Sequence, residues 1–142
     1  MSPWLLYALL SAFTAALVAI FGKIGLEDLD SNAATALRSI IMSVFLIGVV
    51  VAQGKFAELG GIVANRKGLT FVALSGVAGA LSWLFYFLAL KTGKVSQVGP
   101  IDKLSVVVAV LFAVLFLGEK ITWVHAAGIA MIAVGAVLVA VK

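Results

Sequence analysis

Three charged residues stand inside or directly against apolar stretches of the sequence: Arg38, Asp102 and Lys103. The second and third fall in QVGPIDKLSVVVAVLFAVLFLGEK, just before an uncharged run from Leu104 to Gly118. A guanidinium or an ammonium group can bind an anion, and a carboxylate can pair with either cation. In apolar surroundings a charge costs free energy unless it is paired or faces water. These side chains are therefore the first candidates for a site that holds a charged group.

The composition indicates which elements carry these residues. Of the 142 residues, 64% are hydrophobic and 11% are charged, whereas soluble domains contain about a quarter charged residues. Several apolar stretches reach the length of a spanning helix, about 20 residues, and none alternates as a membrane β-strand does. We predict an all-α, polytopic membrane protein that forms a single domain over residues 1–142. Its five transmembrane helices are predicted at about 3–22, 33–53, 69–90, 98–118 and 121–141.

The second and fourth spans are too short if their charged residues are left out. The fifteen residues from Leu104 to Gly118 reach only about 22 Å, against a hydrocarbon core of about 30 Å. The uncharged run Ser39 to Gln53 is equally short, so the second span takes in Arg38. Both helices run in the same direction, which brings Arg38 and Asp102 in from the same side, about 6 to 9 Å below the first helical residue. The two side chains could pair.

A structural interpretation accounts for the same residues. If Gly99 is an N-cap, Asp102 falls at the third helical position, where a carboxylate satisfies free N–H groups, and Pro100 is tolerated in the first turn. Lys103 and Arg38 would then extend to lipid headgroups. For Asp102 and Lys103 both interpretations stay open, whereas the greater depth of Arg38 favours a functional or pairing role.

Two other spans carry polar and small residues at helical spacing. They are Gly79, Ser82, Trp83 and Tyr86 in the third span, and Tyr7, Ser11 and Thr14 in the first. Each set shares one face of its helix. Such a face could line a cavity, or it could join helices through hydrogen bonds and close packing.

Nothing in the sequence predicts catalysis, a metal site or a bound cofactor. The chain has one histidine and no cysteine, and it has no Gly-rich phosphate loop. The net charge of +4 is spread over the loops, which is typical of membrane flanks rather than of a nucleic-acid surface. We predict a protein that is not an enzyme, contacts the lipid bilayer and binds no nucleic acid.

The loop charges favour neither orientation in the membrane. The basic residues divide equally between the two sides before Arg38 and Lys103 are assigned. One side has Lys55, Arg66, Lys67 and Lys120, and the other has Lys23, Lys91, Lys94 and Lys142. Since an excess of Lys and Arg normally fixes orientation, this chain is either oriented by another signal or inserts both ways and pairs head to tail.

A family resemblance extends over essentially the whole chain. ALKTGKVSQVGPIDKLS before the fourth span, LGEKIT after it and GIAMIAVG in the last span resemble the C-terminal part of an EamA domain, the repeat unit of the drug/metabolite transporter superfamily. Upstream, FGKIGLEDLDSNAATALRS resembles the first loop and second helix of that domain, including Arg38. The resemblance is strongest to the five-helix members of bacteria and archaea that consist of one repeat.

The resemblance implies a small-molecule transporter built from two copies. Ten-helix relatives hold two such repeats of inverted topology around a central cavity, a general transporter design, so one repeat needs a second. The last span is also similar, more distantly, to the dimerising helix of small multidrug resistance proteins, which implies a dimer interface at Gly128, Ile132 and Gly135. We expect an antiparallel homodimer in the cell (inner) membrane that exports its substrate by alternating access.

In such a dimer we expect Arg38, Asp102 and Lys103 to form a gate or anchor near each mouth, with Trp83 and Tyr86 contacting the substrate. The two basic residues favour an anionic or zwitterionic substrate. Small multidrug resistance proteins couple protons through a carboxylate deep in the first helix, and this first span has none, which argues against that mechanism. The alternatives are a non-transporting membrane subunit and a component that flips a lipid-linked sugar.

Overall fold

The computed structural model describes residues 2–140, and every regular element in that range is a helix. The helices are α1 (Pro3–Gly25), α2 (Ser31–Ala52), α3 (Glu58–Ala64), α4 (Arg66–Thr92), α5 (Val95–Asp102), α6 (Leu104–Leu117) and α7 (Trp123–Ala140). Five segments of this range are long and apolar enough to cross a membrane: α1, α2, α4, α5 together with α6, and α7. The predicted all-α fold with five spans is confirmed. Val141, the predicted end of the last span, and Lys142, counted among the loop charges, lie outside the described residues.

Polar side chains mark the starts of α2 and α4. The Oδ1 atom of Asp30 accepts a hydrogen bond of 2.8 Å from the N–H of Ala33, and Oδ1 of Asn65 accepts one of 3.0 Å from the N–H of Gly68. These bonds satisfy amide groups that have no partner inside the helix. As a result α2 begins two residues, and α4 three residues, before the predicted starts at 33 and 69.

Glycines in the left-handed conformation end α2 and α6. Gly54 has a φ of 69°, and its N–H and that of Lys55 donate to the carbonyls of Val51 and Val50 at 2.9 and 3.0 Å. Gly118 also has a φ of 69°. A side chain is strained in this conformation, so glycine is favoured where a helix must stop in this way.

The loop between the second and third spans contains a short helix that the sequence did not predict. This helix, α3, has Glu58 in its first turn, where a carboxylate interacts favourably with the positive end of the helix dipole. It is seven residues long and ends one residue before Asn65. The connection is therefore partly ordered rather than a plain loop.

The fourth span begins earlier than predicted and is divided into two helices. It starts at Val95 instead of residue 98, α5 ends at Asp102, and α6 begins at Leu104, on the other side of Lys103. Gly99 is thus inside α5, and Asp102 is the last residue of that helix. The expectation that Gly99 is an N-cap with Asp102 at the third helical position is wrong, because α5 already begins at Val95 with Lys94 as its N-cap.

Tighter hydrogen bonds mark the break between α5 and α6. The N–H of Lys103 donates to the carbonyl of Pro100 at 3.1 Å, and the N–H of Val106 donates to the carbonyl of Lys103 at 3.0 Å. Both are bonds to the third residue back, as in a 3₁₀ turn. Pro100 in addition has no N–H to donate to the carbonyl of Ser96, which weakens α5 one turn before the break.

The described helices form two compact units. The first contains α5, α6, α7 and α1 up to Lys23; α7 packs against both α5 and α6, and Nζ of Lys23 donates to the carbonyl of Gly93 at 2.9 Å. The second contains α2, α3 and α4, and there Nζ of Lys91 donates a hydrogen bond to the carbonyl of Leu29. In each unit a lysine near a helix end thus donates a hydrogen bond to a carbonyl group in a connection.

Burial in the second unit is concentrated where α2 begins and where α4 ends. Ser31 and Thr35 are buried in the first turns of α2, and Phe87 and Leu90 are only 2% and 0% exposed near the end of α4. Farther into the spans, residues 39–48 of α2 and 69–82 of α4 are all exposed. Within a membrane these surfaces meet lipid, an aqueous cavity or another protein chain.

Candidate functional site

Arg38 lies seven residues after the first residue of α2, which places its Cα about 10 Å along the helix axis. Ser31 and Thr35 share its face of the helix, and Ser39 is its neighbour in the sequence. The hydroxyl of Thr35 donates to the carbonyl of Ser31 at 2.7 Å, and the hydroxyl of Ser39 donates to the carbonyl of Thr35 at 2.9 Å. These two hydroxyl groups donate within α2 itself, and neither accepts from Nε or Nη2 of Arg38.

The guanidinium group of Arg38 contacts two aromatic rings of α4. Its Cζ atom is 3.3 Å from the ring centroid of Trp83 and 4.1 Å from that of Phe87. Phe87 in turn meets Trp83 and Tyr86 edge to face, with centroids 6.1 and 5.4 Å apart. A cation over a ring face is attracted by the ring quadrupole, most strongly where water is excluded. Arg38 and this aromatic cluster, formed by Trp83, Tyr86 and Phe87, join α2 to α4.

Two donor atoms of Arg38 have no acceptor. Its Nε and Nη2 atoms are buried and lack a hydrogen-bond partner among residues 2–140, as does the buried hydroxyl of Ser31 on the same helix face. Buried donors of this kind are normally satisfied, and an orphaned one calls for an explanation. A ligand that supplies acceptor atoms would satisfy the guanidinium group.

The structure brings some of the predicted site residues together. Arg38 and Trp83 are in direct contact, and Tyr86 joins them through Phe87, while Ser82 lies exposed one residue before Trp83. Phe87 was missed by the sequence prediction. It stands four residues after Trp83, so the helical spacing already placed it near the same face.

Asp102 and Lys103 pair with each other in the first unit. The Oδ2 atom of Asp102 is 3.2 Å from Nζ of Lys103, and both residues stand at the break between α5 and α6. An ion pair between partly exposed neighbours contributes little to stability. The predicted pairing of Asp102 with Arg38 and the predicted gate role stay predictions.

The polar face of α1 has an internal hydrogen bond. The hydroxyl of Thr14 donates to the carbonyl of Leu10 or of Ser11, each at 3.0 Å, and Ser11 and Thr14 are both exposed. Their predicted place in a substrate cavity stays a prediction. Within residues 2–140 no group of three or more His, Cys, Asp or Glu side chains is placed to hold a metal ion.

Two of the three predicted dimer residues on α7, Ile132 and Gly135, are exposed, whereas Gly128 is half-buried. The other shielded positions of this helix are Ala126, Ile129, Ala133, Ala136 and Ala140. Gly128, Ile132 and Gly135 form a stripe centred about 100° around the helix from those five residues. Ile132 is 44% exposed, and a Cβ atom added at either glycine would meet no atom within 4 Å. The glycines are thus not needed for packing within the chain.

Comparison with known proteins identifies the family. The model of the EamA-like transporter family matches residues 2–141. The chain belongs to the EamA-like transporter family. A Sinorhizobium sp. relative named an uncharacterized transporter in the cobO 3′ region is 45% identical over 138 residues, which cover 97% of this chain and 96% of the relative. An uncharacterized protein of Methanocaldococcus jannaschii is 31% identical over 81 residues, 57% of this chain and 59% of its own length. No solved structure matches the chain.

Membership in the EamA-like family confirms the resemblance seen in the sequence. With its five apolar spans the protein is a multi-pass membrane transporter. The name of the family and that of the Sinorhizobium relative point to transport rather than to catalysis.

Proposed function

We propose that this EamA-like protein exports a small anionic or zwitterionic metabolite by alternating access, as an antiparallel homodimer in the cell (inner) membrane. The observation that carries the proposal is the position of Arg38: a cation about 10 Å inside a span, held against aromatic rings, with two donor atoms unsatisfied. Ionisable groups within spans are costly and mark substrate or ion pathways. Arg38 and Trp83 then belong to the substrate cavity.

The second copy is needed because one chain leaves much of the polar face of α4 open. Residues 69–82 are exposed and include Ser75, Gly76, Gly79 and Ser82, and the space around both glycines is empty. Hydroxyls and small residues are poor partners for lipid and good ones for a neighbouring helix or a water-filled cavity. A second copy of opposite orientation supplies the missing wall, as the second repeat does in inverted-repeat transporters.

The seam between the two copies is α7. A Cβ atom would meet open space at both Gly128 and Gly135, and Ile132 and Gly135 are exposed, which supports close approach of another helix. In an antiparallel pair of α7 helices, the stripe formed by Gly128, Ile132 and Gly135 meets itself. Such a two-fold contact closes the assembly at two subunits.

Alternating access is supported by the broken fourth span. Discontinuous helices are a recurring feature of transporters, where the freed helix ends and nearby charges face the substrate pathway. Here the break coincides with Asp102 and Lys103. These two residues act as a gate that changes partners when α5 and α6 move relative to each other.

Orientation in the membrane gives the first test. The chain has no cysteine, so single cysteines can be labelled in intact cells with a membrane-impermeant maleimide. One is placed at Ala57, in the connection after the second span, and the other at Gly93, in the connection after the third span, which lies on the opposite side of the membrane. Both substitutions leave the loop charges unchanged. Each cysteine should be labelled from outside in about half of the molecules. If each is labelled from one side only, the antiparallel homodimer is wrong.

Transport itself is tested with purified protein in liposomes loaded with a mixture of charged metabolites. Mass spectrometry follows which compounds leave the lumen, with protein-free vesicles and Arg38→Ala vesicles as controls. Loss of one or more anionic or zwitterionic compounds only with the wild-type protein supports the proposal. Efflux confined to cations, or no efflux of any compound, contradicts it.

A further inference from the structure

We propose that Arg38 binds the carboxylate of a singly charged organic acid or amino acid side-on, through Nε and Nη2, while Trp83 and Phe87 pack against the guanidinium group. This inference rests on the proposed function, because it names the chemical group that the transport cavity recognises. It follows from which donors of Arg38 lack an acceptor.

The two orphaned donors are adjacent on the guanidinium group. Nε and Nη2 share one edge of the planar group, and their N–H bonds on that edge point in the same direction. A carboxylate with two oxygens fits such an edge with two parallel hydrogen bonds, the strongest geometry that arginine offers. Since both atoms are buried and both lack a partner among residues 2–140, the geometry matches one bidentate acceptor better than two separate ones.

The aromatic cluster fixes the position of the guanidinium group. Its Cζ atom is 3.3 Å from the centroid of Trp83 and 4.1 Å from that of Phe87, two rings inclined at 67° to each other. Neither ring offers an acceptor to Nε or Nη2. The cation is thus held in position before the ligand arrives, which reduces the entropy lost on binding. Because both donor atoms are buried, the ligand reaches them only when the packing beside them opens.

The neighbouring hydroxyls of α2 do not satisfy the same edge. Thr35 and Ser39 donate to carbonyls of their own helix, and neither accepts from Nε or Nη2. Within residues 2–140, no acceptor therefore lies opposite the edge formed by Nε and Nη2. The acceptor has to come from a molecule that enters the cavity.

The charge of the site selects a monoanion. Trp83 and Phe87, the side chains that contact the guanidinium group, carry no charge, so Arg38 supplies a single positive charge. A phosphate monoester with a charge near −2 would keep an unbalanced negative charge in surroundings of low dielectric, which is costly. A carboxylate is neutralised by the one cation. A lipid phosphodiester also carries a single charge, so the experiment must separate the two.

The test measures ligand binding through the fluorescence of Trp83 itself. Replacing the exposed Trp4 and Trp123 by Phe leaves Trp83 as the one tryptophan of the chain, and its fluorescence responds to what binds the guanidinium group on its face. The purified full-length protein is titrated with benzoate, with its neutral analogue benzamide, and with dimethyl phosphate as a soluble phosphodiester. Isothermal titration calorimetry on the protein with all three tryptophans gives an independent dissociation constant.

Benzoate should bind at least about tenfold more tightly than benzamide or dimethyl phosphate. Arg38→Lys keeps the positive charge but loses the two parallel N–H donors, so the affinity for benzoate should fall by at least about tenfold. Arg38→Gln should abolish benzoate binding. Circular dichroism and size-exclusion chromatography confirm that each variant is folded. Should a variant fail to fold, the comparison of the three ligands on the reporter protein still decides the question.

Equal binding of benzoate and benzamide, or unchanged benzoate binding in folded Arg38→Gln, overturns the proposal. Tighter binding of dimethyl phosphate than of benzoate also overturns it and indicates a lipid-linked ligand. Benzoate binding that depends on Arg38, together with no metabolite efflux from liposomes, would leave this inference standing while the proposed transport fails. Efflux of metabolites without benzoate binding would support the proposed transport and overturn the carboxylate site at Arg38.

Discussion

The guanidinium carbon of Arg38 lies 3.3 Å from the centroid of the Trp83 ring, so that a charge inside one span is held by an aromatic residue of another. The contact accounts for the presence of arginine rather than lysine at this depth, because the planar guanidinium group stacks on rings and is less strongly hydrated than an ammonium group. It also turns Trp83 and Phe87 of α4 toward α2. The site is therefore formed by two helices whose apolar residues alone would not fix their rotation.

Replacing Arg38 by Ala should abolish transport without unfolding the protein. The residues in contact with its guanidinium group are uncharged rings, so removal of the cation leaves no buried negative charge without a partner. Two charge-assisted hydrogen bonds of about 1.5 kcal/mol each would be lost, which reduces efflux about 100-fold. Efflux from liposomes and the yield of dimer are measured together. Loss of the dimer along with activity would favour a structural role for Arg38, and unchanged efflux would exclude it from the pathway.

Trp83→Leu should weaken substrate binding while the charge of Arg38 remains. A cation–π contact that is shielded from water contributes about 1–2 kcal/mol, so the KM for efflux should rise about 10-fold, whereas Trp83→Phe keeps a ring and should have a smaller effect. Phe85→Leu on the same helix is the matched control, because Phe85 is 67% exposed and makes no ring contact with Arg38, Trp83 or Phe87 among the described contacts. If Phe85→Leu and Trp83→Leu have equal effects, the role assigned to the indole ring is wrong.

Most of the fold could be predicted from the sequence, because a bilayer admits few solutions for long apolar segments. The five spans were predicted with ends within a few residues of the observed ones. The errors at the starts of α2 and α4 arose from Asp30 and Asn65, whose capping bonds extend these helices into polar sequence that hydropathy excludes. The break at Lys103 was missed because Pro100 was placed in a first turn.

The candidate site was predicted only in part. Arg38 and Trp83 were selected separately, one as a charge in an apolar run and the other as part of a polar face. Their contact could not be derived, because a helix that is apolar almost all round gives no signal for how it is rotated against its neighbour. Phe87 was missed for the same reason: as an apolar residue in an apolar span it stands out only when the position of Arg38 is known.

Gly128→Leu should separate the dimer and leave the single chain intact. A Cβ atom added at this glycine meets no atom of the chain within 4 Å, and the change from glycine improves helix propensity by up to about 1 kcal/mol. At a close helix crossing the same side chain would hold the backbones apart. Single-molecule photobleaching in liposomes counts subunits, with Val134→Leu, on another exposed face of α7, as the control. A dimer that persists in Gly128→Leu would mean that the seam is elsewhere.

Pro100→Ala should raise the thermal stability of the protein and lower its transport turnover. The alanine can donate the hydrogen bond to the carbonyl of Ser96 that proline cannot, and proline inside a helix costs about 3 kcal/mol, so the Tm should rise. If the break between α5 and α6 moves during transport, a stiffer span lowers turnover while the affinity for substrate stays nearly constant. The chain has one other proline, Pro3, at the first position of α1, where proline is well tolerated, and Pro3→Ala serves as the control. A higher Tm with unchanged turnover would show that the break at Asp102 and Lys103 is a static feature of the span and takes no part in alternating access.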